Sequence, residues 1–306
     1  MTRIGVVLSS GGGRGVFAHT GFMTALRDLG LNVTASSGCS AGAVVGGIIA
    51  SGTPLDEWTD TLSRIRTGEF WQPASAWVLL YKLIVHRGRG VVGFSDTSAA
   101  MHFIESQLRV KNFEDCDYPF SSIAVDLATL EKRVFFAGPL ARAVMASAAI
   151  PGFYTPVAID GRLYSDGAIY ELAPAEAICC RHNLDVLIVH HVQQQDLTQA
   201  GLDNALKRPW TILNILHRLI IRTRPWYSTG DAVSFNSCPC GCKAVVVVVE
   251  PVLPGLSWPM TEGGQAVLVA AKHHATKHLG PSLDRLKKSP RSFLEKESIP
   301  QEGIDD

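Results

Sequence analysis

Ser40 lies in Gly38-Cys39-Ser40-Ala41-Gly42, between an apolar run ending near Ser36 and a small-residue run from Ala43 to Ala50. Read as strand, sharp turn and helix, G-x-S-x-G is a nucleophile elbow. A serine at the apex of such a turn crowds the neighbouring strand and helix. Glycines two positions to either side, here Gly38 and Gly42, relieve that crowding. The hydroxyl then stands at a helix N-terminus, where N–H groups and the helix dipole favour developing negative charge. Small-residue clusters are common at strand-to-helix turns, so the pentapeptide needs support from elsewhere in the chain.

Ser10-Gly11-Gly12-Gly13-Arg14-Gly15 provides part of that support. It follows an apolar run and opens a helical pattern. Consecutive N–H groups at a helix start cradle anions. The run contains neither G-x-G-x-x-G nor G-x-x-x-x-G-K-[ST], which argues against a nucleotide. It reads instead as an oxyanion hole, with backbone donors aimed at the charge that develops when a serine attacks a carbonyl. Glycines let that backbone approach an ester with no side chain in the way. A tight structural turn is the other reading.

Two further groups compete for chemistry. His190-His191, at the end of an apolar strand, offers a base for a serine triad, but no acid stands at an informative spacing from it. His19 reads as a packing residue beside the elbow, and so does Cys39. Cys238-Pro239-Cys240-Gly241-Cys242 carries thiols in C-x-C-x-C spacing, which suits zinc or copper. A structural zinc site wants four ligands, so a fourth would come from Cys179, Cys180 or a histidine. The alternative is a cysteine-bearing turn before a strand.

The elements that must position these groups follow from periodicity. Ile4–Leu8 is a continuous apolar run and reads as a buried strand. Val16–Leu29 has helical spacing and stops at Gly30. Asn32–Ser36 reads as the strand entering the elbow, and Ala41–Ser51 as the helix leaving it. Helices are expected over Leu55–Ile65, Ser95–Leu108, Ala141–Ala149, Pro174–Arg181 and Thr261–Leu279. Strands are expected over Ser121–Asp126, Arg133–Phe136, Leu163–Ser165, Asp185–Val192 and Ala244–Glu250. This alternation argues an α/β fold with a largely parallel sheet.

Composition agrees. A hydrophobic share of 46% with 18% charged residues describes a globular chain with a large core. The 28 basic and 28 acidic residues cancel, so no basic excess points to nucleic acid. The N-terminus does not read as a signal peptide, and no stretch reaches the length of a membrane-spanning helix. Seven cysteines without a disulfide framework place the chain in a reducing, cytoplasmic compartment, with peripheral membrane contact left open.

In order along the chain stand Gly11-Gly12-Gly13-Arg14-Gly15, the helix beginning His19-Thr20-Gly21-Phe22, the elbow, Ala146-Ser147-Ala148-Ala149-Ile150-Pro151, and Asp166-Gly167-Ala168. That ordered set resembles the patatin-like phospholipase family. The resemblance spans residues 4 to about 175. It implies a three-layer α/β/α fold with a mainly parallel central sheet and a Ser–Asp dyad without histidine. Ser40 would be the nucleophile and Asp166 the proton acceptor, working through an acyl-enzyme and without a cofactor. A carboxylate at its ordinary pKa of about 3.9 is a poor base, so Asp166 must be desolvated and within hydrogen-bond reach of Ser40. Taken alone, Asp166-Gly167 reads as an ordinary turn pair.

One feature departs from the family pattern, G-G-G-x-[RK]-G. If the helix from His19 aligns without gaps, Arg14 falls at x, Gly15 at the basic position and Val16 at the last glycine. Which N–H groups form the hole is left open by one position.

The family implies a phospholipid or other acyl-lipid substrate. Hydrolysis of the acyl ester is the first reading. Transfer to an alcohol, or a lipid-binding regulatory role with weak catalysis, are the alternatives. The expected layout is one catalytic domain over residues 1–280 and a charged, flexible tail over 281–306. The domain carries an apolar insert at about 70–90 and an amphipathic one at about 203–243. The apolar insert holds Trp71, Trp77, Tyr81, Ile84 and Val85, and reads either as a buried core helix or as a lid or membrane-contact segment. Leu206–Trp226 is amphipathic and carries the same two readings.

Overall fold

A computed structural model describes residues 2–85, 87, 91–192, 202, 203, 206, 227, 229–256 and 261–294. The chain runs β1 (Ile4–Leu8), α1 (Gly12–Asp28), β2 (Val33–Gly38), α2 (Ala41–Ala50) and α3 (Leu55–Arg64). The insert follows as α4 (Thr67–Phe70) and α5 (Ala76–Val85), then β3 (Gly93–Ser95) and α6 (Ser98–Gln107). Next come β4 (Phe120–Asp126), β5 (Lys132–Phe135), α7 (Leu140–Ala148), β6 (Gly152–Tyr154), β7 (Val157–Ile159) and β8 (Arg162–Asp166). The chain continues through β9 (Val186–His190), β10 (Val233–Ser237), β11 (Val245–Val249), α8 (Gly264–Leu279) and α9 (Leu283–Lys288).

The main sheet has the order β10-β11-β9-β1-β2-β4-β8-β7, with β5 added on β4. Its centre, β11-β9-β1-β2-β4, is parallel, and its margins are antiparallel. Both faces are covered, and β1, β9 and β11 accordingly read as nearly unbroken apolar runs. Side chains alternate across the sheet. Val6, Leu8, Ile188, Val245 and Val247 pack with Phe22, Leu26 and Leu279 of α1 and α8. Val7, Leu187, Val189, Val246 and Val248 face the other way, against Ala173, Ile178 and Leu184. The result is three layers, α/β/α.

β4 decides where the site forms. Its Ser122 to Val125 pair with β5 on one edge. The opposite edge is shared: β2 pairs with Phe120 to Ser122 and ends at Gly38, and β8 comes in antiparallel, pairing Asp166 with Ala124. The end of β2 and the end of β8 therefore meet on one edge, two β4 residues apart.

Several boundaries differ from the sequence expectation. α1 begins at Gly12, four residues before the apolar periodicity starts at Val16. The glycine run is thus its first turn, held by packing despite low helix propensity. Residues Pro174–Arg181 form only a short 3-10 turn, Ala175–Ala177. The Pro174 carbonyl there accepts from Ser37 Oγ, 2.8 Å, across the sheet. β10, an edge strand of half-buried residues ending in exposed Ser237, carries no strong apolar signal.

The charged segment after Pro281 is not free from its start. α9 sends Leu283 and Leu286 into the core beside α1 and α8; residues 295–306 lie outside the described residues. So does the amphipathic segment Leu206–Trp226, apart from Leu206. Of the two readings of the apolar insert, the buried core helix does not hold for α5. On α5, Trp77 is 80% and Ile84 69% exposed, and Val78, Tyr81 and Val85 are exposed as well. Among the described residues no helix is long and apolar enough to cross a membrane.

Candidate active site

Ser40, preceded by Cys39, is the second of the two residues between β2 and α2. Its backbone has φ 53° and ψ −118°, a strained conformation for a residue with a side chain. Close packing holds it there. A Cβ on Gly42 would lie 2.1 Å from the Leu8 carbonyl oxygen, and one on Gly38 would lie 2.3 Å from that of Gly42. No larger residue fits either position without moving a backbone. The Ser40 N–H donates to Ser147 Oγ of α7, 2.9 Å, which ties the apex to a second helix.

Ser40 Oγ donates to Asp166 Oδ2 at 2.7 Å. The other carboxylate oxygen, Oδ1, accepts from the Ala168 N–H at 2.8 Å. The Asp166 N–H donates to the Ala149 carbonyl, 3.0 Å. Both Ser40 and Asp166 are 2% exposed. Burial raises the Asp166 pKa to about 7, against the opposing pull of the Ala168 and Ser40 hydrogen bonds. A carboxylate in this environment is a far stronger base than one in water, and it is poised near neutrality.

The hydroxyl opens into a cavity of about 320 Å³. Gly12, Gly13 and Ala41 border it together with Ser40. Its walls are apolar: Phe17, Val44, Leu62, Phe70, Phe103, Ile104, Met145 and Phe153 contribute, and among the described residues no charged side chain does. The walls Phe70 and Trp71 lead within five residues into exposed α5.

The glycine run divides into roles the sequence left open. Gly12, with φ 56°, and Gly13 start α1 beside the cavity. Gly11 is the N-cap. Gly15 is spent on structure: its N–H donates to the Gly11 carbonyl, 2.9 Å, and it packs on Ala41. Arg14 lies in the same first turn. The first-turn amides of a helix lack intrahelical acceptors, and the starts of α1 and α2 both face the cavity.

The histidines form a buried clamp behind the glycine run. His19 Nε2 meets the Ser9 carbonyl at 2.6 Å, and His19 Nδ1 meets His190 Nδ1 at 2.8 Å. A carbonyl only accepts, so Nε2 carries the His19 proton. With the ring neutral, Nδ1 accepts from His190 Nδ1–H. Burial keeps both rings neutral, lowering His19 to about 3 and His190 well below its usual value. His191 is buried against Tyr227 and lowered to about 4. A Ser–His pair is therefore not what the fold assembles, because the Ser40 hydroxyl is committed to Asp166. Ser147 is a positioning group that sequence reasoning left unassigned, His19 has the structural role expected of it, and His190, weighed as a base, is instead part of the Ser9–His19–His190 chain. The run around Ser147 was visible, but nothing in its spacing shows which hydroxyl reaches Ser40.

Cys39 is fully buried beside Ile123 and Ala168, where burial pushes its thiol pKa up, and it serves as packing. Cys238, Cys240 and Cys242 border no part of the cavity and gather elsewhere with Cys179 and Cys180.

Residues 6–178 match the model of the patatin-like phospholipase family, so the chain belongs to that family. It is 34% identical over 181 residues to an uncharacterized NTE family protein of Mycobacterium tuberculosis, covering 58% of this chain and 45% of that one. It is 26% identical over 220 residues to Lysophospholipase NTE1 of Cryptococcus neoformans, covering 69% of this chain and 12% of the relative. The chain thus spans less than half the length of these curated relatives. Among solved structures, human GIVD cytosolic phospholipase A2 shares the fold, with a TM-score of 0.51 at 12% identity over 96% of this chain and 63% of that one.

Proposed function

We propose that the chain is a serine hydrolase of acyl lipids, cleaving carboxylic esters of phospholipids or related lipids through an acyl-enzyme on Ser40. The 2.7 Å hydrogen bond from Ser40 Oγ to Asp166 Oδ2, at the floor of an apolar cavity, is the observation that carries this reading. Family membership and the lysophospholipase name of one relative support the substrate class.

In the first step Ser40 Oγ attacks the ester carbonyl and passes its proton to Asp166. The Ala168 N–H holds the second carboxylate oxygen and so fixes which one receives that proton. Negative charge on the carbonyl oxygen is met by the N–H groups of Gly12 and Gly13 and by that of Ala41, at the positive ends of two helices. The protonated Asp166 then gives its proton to the departing alcohol. In the second step water attacks the acyl-enzyme, Asp166 takes a proton from it, and Ser40 is restored. The apolar walls hold the acyl chain. The exposed face of α5, which follows the lining residues Phe70 and Trp71 along the chain, seats in the lipid surface from which the substrate is drawn.

Release of p-nitrophenol from short and long acyl esters tests this, with Ser40→Ala beside wild type. Equal rates in the two proteins overturn the reading. Activity that appears only with an added alcohol acceptor assigns acyl transfer instead.

A further inference from the structure

Five of the seven cysteines gather at one place that the ester chemistry does not use. Cys179 and Cys180 follow the 3-10 turn Ala175–Ala177. Cys238, Cys240 and Cys242 lie in the connection from β10 to β11, about 60 residues further along. The two segments meet sulfur to sulfur. Cys240 Sγ is 3.0 Å from Cys179 Sγ, 3.1 Å from Cys180 Sγ and 3.0 Å from Cys238 Sγ. Cys179 Sγ and Cys180 Sγ are 3.5 Å apart. The sulfurs of Cys179, Cys180, Cys240 and Cys242 all lie within 4.8 Å of one another.

These separations do not describe a disulfide, whose sulfurs stand about 2.05 Å apart. They are close to what one metal requires. Four thiolates at about 2.3 Å from a tetrahedral zinc stand roughly 3.8 Å from each other. The sulfurs need shift by less than about 1 Å to reach that arrangement. The turn is shaped for the convergence: the Gly241 N–H donates to the Cys238 carbonyl, 3.0 Å, and Gly241 has φ 70°. Donor type narrows the metal. An all-sulfur tetrahedral set selects soft or borderline ions and excludes magnesium and calcium. Cys180 and Cys240 are exposed, which gives the ion a way in.

We infer that Cys179, Cys180, Cys240 and Cys242 bind a structural zinc ion, which staples the segment after Ala177 to the β10–β11 turn. Cys238 is buried next to Cys240, 3.0 Å sulfur to sulfur, and with Cys240 ligating as a thiolate the Cys238 S–H is the group left to donate. The staple joins two parts of one layer, since Ile178, Cys179 and Cys238 already share an apolar cluster with Val246 and Val248. It closes the β10–β11 edge of the sheet, away from the edge of β4 where Ser40 meets Asp166. The inference stands independently of the hydrolase reading.

Metal analysis of the full chain, purified without chelator, tests it. About one zinc per chain is expected. Cobalt replacing it should produce intense sulfur-to-cobalt charge-transfer absorption and tetrahedral d–d bands. A Cys180→Ser, Cys240→Ser double variant should lose the metal, and Cys116→Ser should keep it. Cys238→Ala should weaken zinc binding roughly 10- to 100-fold without removing a ligand. A variant that failed to fold would lose zinc for a trivial reason, so the wild-type cobalt spectrum decides. Wild-type protein whose cluster thiols still react freely with Ellman's reagent in excess zinc overturns the proposal. So does a disulfide within the cluster of the freshly isolated protein. Iron in place of zinc overturns the choice of metal.

Discussion

The elbow and α5 lie near the same cavity and are built in opposite ways. Around Ser40 several elements close in: the Leu8 carbonyl lies against Gly42, Ser147 holds the Ser40 N–H, and Asp166 is fixed by Ala168 and Ala149. On α5, large apolar side chains such as Trp77 and Ile84 stand in solvent. Both segments are rich in apolar or small residues. The elbow uses them to bring backbones together and to strip water from a carboxylate. α5 uses them to present a surface. The contrast teaches that apolar content states how much surface must be covered, but not by what. Protein covers the elbow, and a lipid surface is what the proposed function assigns to α5.

The sharpest test of this contrast is at the elbow. Ser40→Ala should lower kcat for ester hydrolysis by about 10⁴- to 10⁶-fold while leaving the fold intact by circular dichroism. Asp166→Asn should cost about 10²- to 10⁴-fold. In wild type the rate should climb with pH and level off above about 7, as the carboxylate loses its proton. That ascending limb should vanish in the variant, and a limb that persists unchanged would assign it to another group.

The same carboxylate should show in stability. Its folded-state pKa lies above the unfolded value of 3.8, so the native protein holds the extra proton. The burial penalty is absent below about pH 4 and complete above about pH 7. Urea unfolding at pH 8 should therefore find Asp166→Asn more stable than wild type, by on the order of a few kcal/mol. The gap should close as the pH falls towards 4, and a constant gap would contradict the assignment. Gly42→Ala should destabilise by about 3 kcal/mol, because the Leu8 backbone cannot yield as a side chain can.

The smallest stability effect belongs to α5. Trp77→Ser and Ile84→Ser should each change unfolding free energy by no more than about 0.5 kcal/mol. Sedimentation with phosphatidylcholine vesicles should nevertheless show binding several-fold weaker. A large loss of stability with unchanged vesicle binding would mean that protein, not lipid, covers this face.

Much of the elbow was readable in the chain, because its demands are local. Gly38 and Gly42 follow from the sharpness of one turn, and the helix after Ser40 from its small residues. The α/β class was readable too, since buried parallel strands such as Val245–Val249 are unbroken apolar runs. Elements whose burial depends on distant partners were not. The start of α1 at Gly12 rests on packing that overrides glycine's low helix propensity. α9 looked like a charged tail because only Leu283 and Leu286 reach the core. For α5 the apolar pattern was plain and its exposure was not.

Taken alone, the chain determined the strand-turn-helix around Ser40 and the glycine run ahead of it, as consequences of steric crowding and periodicity over a few residues. The aspartate behind them was marked only by the family resemblance. Their meeting was decided only by the tertiary structure. Ser40 and Asp166 are 126 residues apart. They come within hydrogen-bond reach because β2 stops at Gly38 and β8 takes over the same edge of β4. The raised pKa of Asp166 is likewise tertiary, since desolvation comes from the layers that close over the sheet and no neighbour in sequence could supply it.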